Sequence, residues 1–123
     1  MYTGLPLTDV VVVPFDDEKS TAAALLIARS IRRYGISCLV DTRPVKIKSK
    51  MKYANSLRPY FALIIGPDDL ESNVVQVKDM DEHNQITVEI NKAPRYVAVE
   101  ILSEQIVKNR ESWIEADFSN PER

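Results

Sequence analysis

Residues 10–40 read VVVVPFDDEKSTAAALLIARSIRRYGISCLV, and this stretch sets the fold class. Four consecutive valines closed by Pro14 predict a strand buried on both faces. Asp16, Asp17 and Glu18 then stand ahead of an Ala- and Leu-rich run from Ser20 to Tyr34. Within it Ala24, Ala28 and Ile31, with Leu25, Ile27 and Tyr34, form one broad helical stripe. The acids suit the positive end of a helix dipole, Arg29, Arg32 and Arg33 suit the negative end, and Gly35 suits a C-terminal cap. Ile36–Val40 predicts a second strand. Strand, helix and strand in this order make a crossover unit, which implies parallel pairing.

The pattern then repeats and changes. Pro44 precedes a predicted helix from Val45 to Leu57, stopped by Pro59, and Tyr60–Ile65 is a third solid apolar strand. Gly66-Pro67-Asp68-Asp69 predicts a turn and Asn73–Val77 a fourth strand. After the polar Asp79–Asn84, Ile86, Val88 and Ile90 alternate with Thr87 and Glu89, as in a strand with one face exposed. Pro94 opens a last helix carrying Val97, Ile101, Leu102 and Ile106. Past Arg110 the period is lost. One domain over residues 1–110 and a tail over 111–123 are therefore expected, with Trp113 and Phe118 available to dock the tail. The order β-α-β-α-β-β-β-α predicts an α/β domain: a mixed five-stranded sheet with helices on its faces.

Composition narrows the function classes. The chain has 123 residues, 45% of them hydrophobic, which is too apolar for disorder and the right size for one domain. No apolar run approaches the roughly 18–20 residues of a membrane helix, and the first residues lack the basic and apolar blocks of a signal peptide. The single Cys38 falls in an apolar strand, where a structural thiol is expected, and a reduced cytoplasmic setting follows. The only histidine, His83, sits beside Asp81 and Glu82 in a polar turn and reads as a solvated loop residue. Glycines at 4, 35 and 66 spell no phosphate-binding loop. Asp16, Asp17, Asp68 and Asp69 offer either a metal cluster or the polar residues that helix starts and turns favour. No catalytic residue and no metal ligand is assigned.

Charge is more informative. Between Thr42 and Pro67 there is no acid, while Arg43, Lys46, Lys48, Lys50, Lys52 and Arg58 supply six positive charges; the net charge of −2 leaves −8 for the remainder. On a helix Lys46 and Lys50 share one side, and Lys48 and Lys52 another. Like charges at i, i+4 repel by a few tenths of a kcal/mol, and cations in a first helical turn oppose the dipole. A phosphate near the helix start would reverse both penalties. In sheets with parallel strands, ligands sit outside the strands' carboxyl ends, which here are Pro14–Asp17, Asp41–Arg43 and Gly66–Asp69. A mouth of Asp, Arg and Lys offers phosphate contacts together with donors and acceptors for unpaired bases.

Three segments then resemble a known family. Lys48-Ser-Lys-Met-Lys-Tyr-Ala54, Tyr60-Phe-Ala-Leu-Ile-Ile-Gly-Pro-Asp-Asp-Leu70 and Val74-Val-Gln-Val-Lys-Asp-Met80 are similar to the C-terminal anticodon-binding domain of histidyl-tRNA synthetases. Asp9–Pro14, Ile31-Arg-Arg-Tyr-Gly-Ile36 and Val40-Asp41 agree, so the resemblance spans about residues 9–108. It implies a three-layer α/β/α fold whose fourth strand is antiparallel. It further implies RNA contacts from Phe15 and Asp16 in the first strand–helix loop, from Lys48 and Lys52 on the second helix, from Asp69, and from Lys78 at the end of the fourth strand. Arg43 joins them as a phosphate contact. Arg58-Pro59 stands where many relatives carry Gly and a small residue. Lys78, about five residues or roughly 17 Å along a hairpin from Gly66, lies too far for one base to touch both ends.

The resulting expectation is a module that binds the anticodon loop of a tRNA, tRNA-His foremost, and performs no chemistry. It needs no cofactor of its own; ATP and Mg²⁺ belong to the implied full-length ligase, whose catalytic domain is the expected protein partner, and no membrane is involved. The alternative is a synthetase-like regulatory or protein-interaction domain, which would show no anticodon preference.

Overall fold

The structure, a computed structural model, describes residues 7–105. The tail predicted over 111–123, with Trp113 and Phe118, lies outside the described residues, as does Ile106. In chain order the elements are β1 (Val10–Pro14), α1 (Glu18–Arg32), β2 (Cys38–Val40), α2 (Ile47–Leu57), β3 (Phe61–Ile65), α3 (Pro67–Glu71), β4 (Val74–Asp79) and β5 (Gln85–Glu89). Residues 93–105 are helical and are called α4. The strands lie in the order β2-β1-β3-β4-β5. β1 pairs in parallel with both β2 and β3, and β4 runs antiparallel to β3 and β5. The expected antiparallel fourth strand is thus present, in a mixed five-stranded sheet.

Two apolar layers cover the sheet. Val10 and Val12 point to α1 and α4, meeting Ala24, Ala28, Ile31, Val97 and Ile101. Val11 and Val13 point the other way, to Ala54, Met51, Ile47 and Leu57 of α2. All four valines are inaccessible, as a strand buried on both faces requires. Val75 and Val77 of β4 belong to the α1 side, so Gln76 and Lys78 face the α2 side. There α2 packs along β1 and the β2 edge and, among the described residues, leaves this face of β4 and β5 open, with the short α3 meeting β4.

Among the boundaries that differ from the sequence reading, four have a clear local reason. The predicted turn at 66–69 is the start of α3: Pro67 occupies its first turn, and the Asp69 carboxylate accepts the Gly66 N–H at 2.9 Å. Helix α1 begins two residues early because Asp17 caps it, accepting from the Ser20 N–H and the Ser20 hydroxyl, each at 2.8 Å. Strand β2 shortens to three residues, since Ser37 instead exchanges hydrogen bonds with Asp9. Helix α2 starts at Ile47, after a tight turn in which the Val45 N–H donates to the Arg43 carbonyl. Its far end explains the departure at Arg58. This residue takes the left-handed conformation, φ 54° and ψ 47°, where a glycine avoids the clash that a Cβ creates.

Candidate nucleic-acid interface

The carboxyl ends of β1 and β3 come level, with Pro14 opposite Ile65, while β2 ends two residues earlier, with Val40 opposite Val12, and the loops that follow the three strands form one rim. Phe15 heads this rim. Its N–H continues the ladder to the Ile65 carbonyl, and its ring lies flat on Gly66, where a Cβ would sit 2.9 Å from the ring. The glycine is needed here for that close approach, since its φ of −131° suits any residue. Phe15 stays 39% exposed, so an aromatic surface faces outward from the strand ends. Asp16 beside it is exposed and makes no hydrogen bond or ion pair with the described residues.

From the rim a polar row runs down the uncovered sheet. Asp69 folds back over β4, where the Gln76 side-chain amide donates to its second oxygen at 3.0 Å. Gln76 in turn accepts from the Thr87 hydroxyl of β5 at 3.0 Å, the residue directly opposite it in register. Lys78 follows Gln76 on the same face, about 7 Å further along the strand. Gln76, held by Asp69, thus stands between the rim and Lys78 on this face, with Lys78 opposite Ala62 in register. Both Asp69 oxygens are engaged, so the carboxylate is a helix cap and a fixed acceptor at once. Gln76 and Thr87 escaped sequence reasoning; the signal that could have found them is the alternation that puts Val75 and Val77 in the core.

The four lysines of the basic stretch separate sharply. Lys46 caps α2 and is exposed, as are Lys48 and Lys52. Lys50 is 1% exposed, and its ammonium donates to the Pro14 carbonyl at 2.8 Å. The reason is in the ladder. The Val12 carbonyl on that side of β1 accepts from Asp41, but β2 then leaves the sheet, and Lys50 supplies the donor that a next strand residue would have given. Pro14, lacking an N–H, suits the same unpaired edge. Lys46 and Lys50, expected on one helix side, differ in burial: Lys50 occupies the apolar stripe of Ile47, Met51, Ala54 and Leu57, so it offers no charge to a ligand.

Arg43 is also spoken for. Its Nε and Nη2 reach the two oxygens of Asp41 at 2.9 and 2.7 Å, and its guanidinium carbon lies 4.8 Å from the centroid of Tyr53. The hydrogen bonds from Arg43 hold the Asp41 carboxyl below its ordinary range despite burial, and the same bonds raise Arg43. Cys38 is a structural thiol, as expected, and burial pushes it up to about 12. His83 is an exposed turn residue with φ 62°. Among the described residues no three His, Cys, Asp or Glu side chains converge to hold a metal, and no helix is long and apolar enough to cross a membrane.

A layered sheet of this topology has known counterparts. A family model described as "Anticodon binding domain" matches residues 9–100. The chain belongs to the anticodon-binding domain family. Its relatives include the histidine–tRNA ligase of Pyrococcus furiosus, 39% identical over 83 residues, which are 68% of this chain and 19% of that ligase. The ligase of Caldicellulosiruptor bescii is 36% identical over 80 residues, 65% of this chain and 19% of the ligase. This anticodon-binding domain chain thus spans about a fifth of the length of these curated relatives. Among solved structures, S. aureus histidyl-tRNA synthetase superposes with a TM-score of 0.67 at 28% identity, covering 74% of this chain and 23% of that one. The RNA binding domain of Cryptosporidium parvum threonyl-tRNA synthetase superposes equally well, TM-score 0.67, at 19% identity over 77% of this chain and 25% of that one, a likeness of fold alone.

Proposed function

We propose that this anticodon-binding domain holds the anticodon loop of a tRNA, tRNA-His foremost, against the strand ends and the uncovered sheet face, and performs no chemistry of its own. One observation carries the reading: the Asp69–Gln76–Thr87 chain presents fixed donors and acceptors on a sheet face that, among the described residues, α2 leaves open, with Lys78 at its foot. Fixed polar groups on an open surface suit the edges of splayed bases, which is how single-stranded RNA is read in sequence. Phe15 offers a stacking face at the rim, Asp16 an unpaired acceptor, and Lys48 and Lys52 offer charges for the phosphates that position the loop. The domain boundaries at 1–110 and the cytoplasmic setting belong to the same proposal. In a longer protein of this family, ATP- and Mg²⁺-dependent ligation would lie in a separate catalytic domain. Exposed Leu25 and Leu26 on α1, with Tyr34 just after it, on the opposite face, support a contact with such a protein partner.

The test is a titration of the chain with an anticodon stem-loop of tRNA-His and with one whose anticodon is permuted. Preference for the first is expected, and Asp69→Ala should erase that preference while leaving generic RNA binding nearly intact. A wild-type chain that binds both alike would remove the anticodon reading and leave the protein-interaction alternative.

A further inference from the structure

Arg43 stands apart from the other cations of the basic stretch, because its charge is already met inside the molecule. The Asp41 side chain is almost fully enclosed and takes both Nε and Nη2, which fixes the plane of the guanidinium as well as its position. One face of that plane rests on Tyr53. The Arg43 side chain nonetheless remains 49% exposed, and its Nη1 makes no hydrogen bond among the described residues. Beside it opens a hollow of about 370 Å³, lined by Leu39, Val40, Asp41, Thr42, Arg43 and Tyr53.

We propose that Arg43, backed by Tyr53, is a stacking shelf for one unpaired nucleobase of bound RNA. The proposal rests on the RNA reading above and changes the role of Arg43 from phosphate contact to base platform. A phosphate wants a free charge, and Asp41 has taken this one. A base wants a flat, rigid, polarisable face, which the clamped guanidinium provides, and apolar walls for its edge, which Leu39 and Val40 provide. The shelf lies at the end of β2, two strand spacings or roughly 10 Å from the end of β3. The base held there is therefore a different nucleotide from the one at Asp69, with the loop draped over the strand ends between them.

The test uses the whole chain and anticodon stem-loops carrying the fluorescent base 2-aminopurine at each loop position in turn. Arg43→Lys keeps the charge and loses the plane; Tyr53→Leu keeps an apolar support and loses the ring. Both should weaken binding roughly five- to 150-fold, the range for one stacked base, with the salt dependence unchanged. Both should also abolish the binding-induced fluorescence change at the same single loop position. Wild-type affinity and an intact fluorescence change in the two variants would overturn the shelf while the RNA reading stands. Failure of the wild-type chain to bind any stem-loop would overturn that reading, and the shelf with it. Should Arg43→Lys unfold through loss of its grip on Asp41, Tyr53→Leu alone decides, since it touches no ion pair.

Discussion

Lys48→Gln combined with Lys52→Gln tests the phosphate-binding role of α2 most directly. Both side chains are exposed, one turn apart on the same side, and the helix carries no acid in its first turn to offset them. If each ammonium displaces counterions from one RNA phosphate, losing both should flatten the slope of log K against log salt by roughly 1.4, at about 0.7 per single-strand contact. Between about 50 and 200 mM salt, that difference narrows the affinity gap between wild type and variant by roughly sevenfold. Anticodon variants should all weaken alike, because phosphate contacts carry no sequence information. Stability should hold or rise slightly: Lys48 lies in the first turn of α2, against the dipole, a penalty of about 0.3–1 kcal/mol when exposed. The assay is fluorescence anisotropy with one stem-loop across a salt series, paired with a thermal melt of each protein. Lys50→Met supplies the internal control, since its buried ammonium faces Pro14 and its loss should leave the slope alone. A well-folded double variant with the wild-type slope would refute the phosphate-binding role.

Three further outcomes follow from particular contacts. Lys50→Met keeps the buried stem but strands the Pro14 carbonyl, so stability should fall by about 1–3 kcal/mol, or roughly 4–8 °C of melting temperature per kcal/mol; an unchanged melt would show that the bond contributes nothing net. Asp41 has a carboxyl held below its ordinary value of 3.8, so its contribution is present above that pH and is lost as pH falls through the lower folded value. Asp41→Asn should accordingly be less stable than wild type at neutral pH, with the two curves converging in acid; a gap that persists at the acid end would contradict the pairing. Arg58→Gly should gain up to about 1 kcal/mol by relieving the left-handed conformation, offset in part by chain entropy, and a loss on denaturant melting would place the stabilising role in the Arg58 side chain itself.

The sequence by itself determined the sheet. Four valines at 10–13 can only be satisfied between two apolar layers, and the crossovers around Ser20–Tyr34 and the second helix then force parallel neighbours. The alternation at 86–90 likewise marks a strand with one solvated face. Capping residues were legible as well, for Asp17 and Asp69 bond to backbone within three residues, where spacing alone decides. What tertiary structure decided was the fate of side chains whose partners lie far along the chain. Lys50 looks like its exposed neighbours until β2 leaves the sheet and Pro14, 36 residues away, is short of a donor. Gln76 and Thr87 look like ordinary polar strand residues until the register sets them opposite each other beneath Asp69. Arg43 looks like a free charge until Asp41 and Tyr53 clamp it. Composition and periodicity report what each element must bury; which carbonyl lacks a partner, and which charge is already paired, is fixed only when the elements meet.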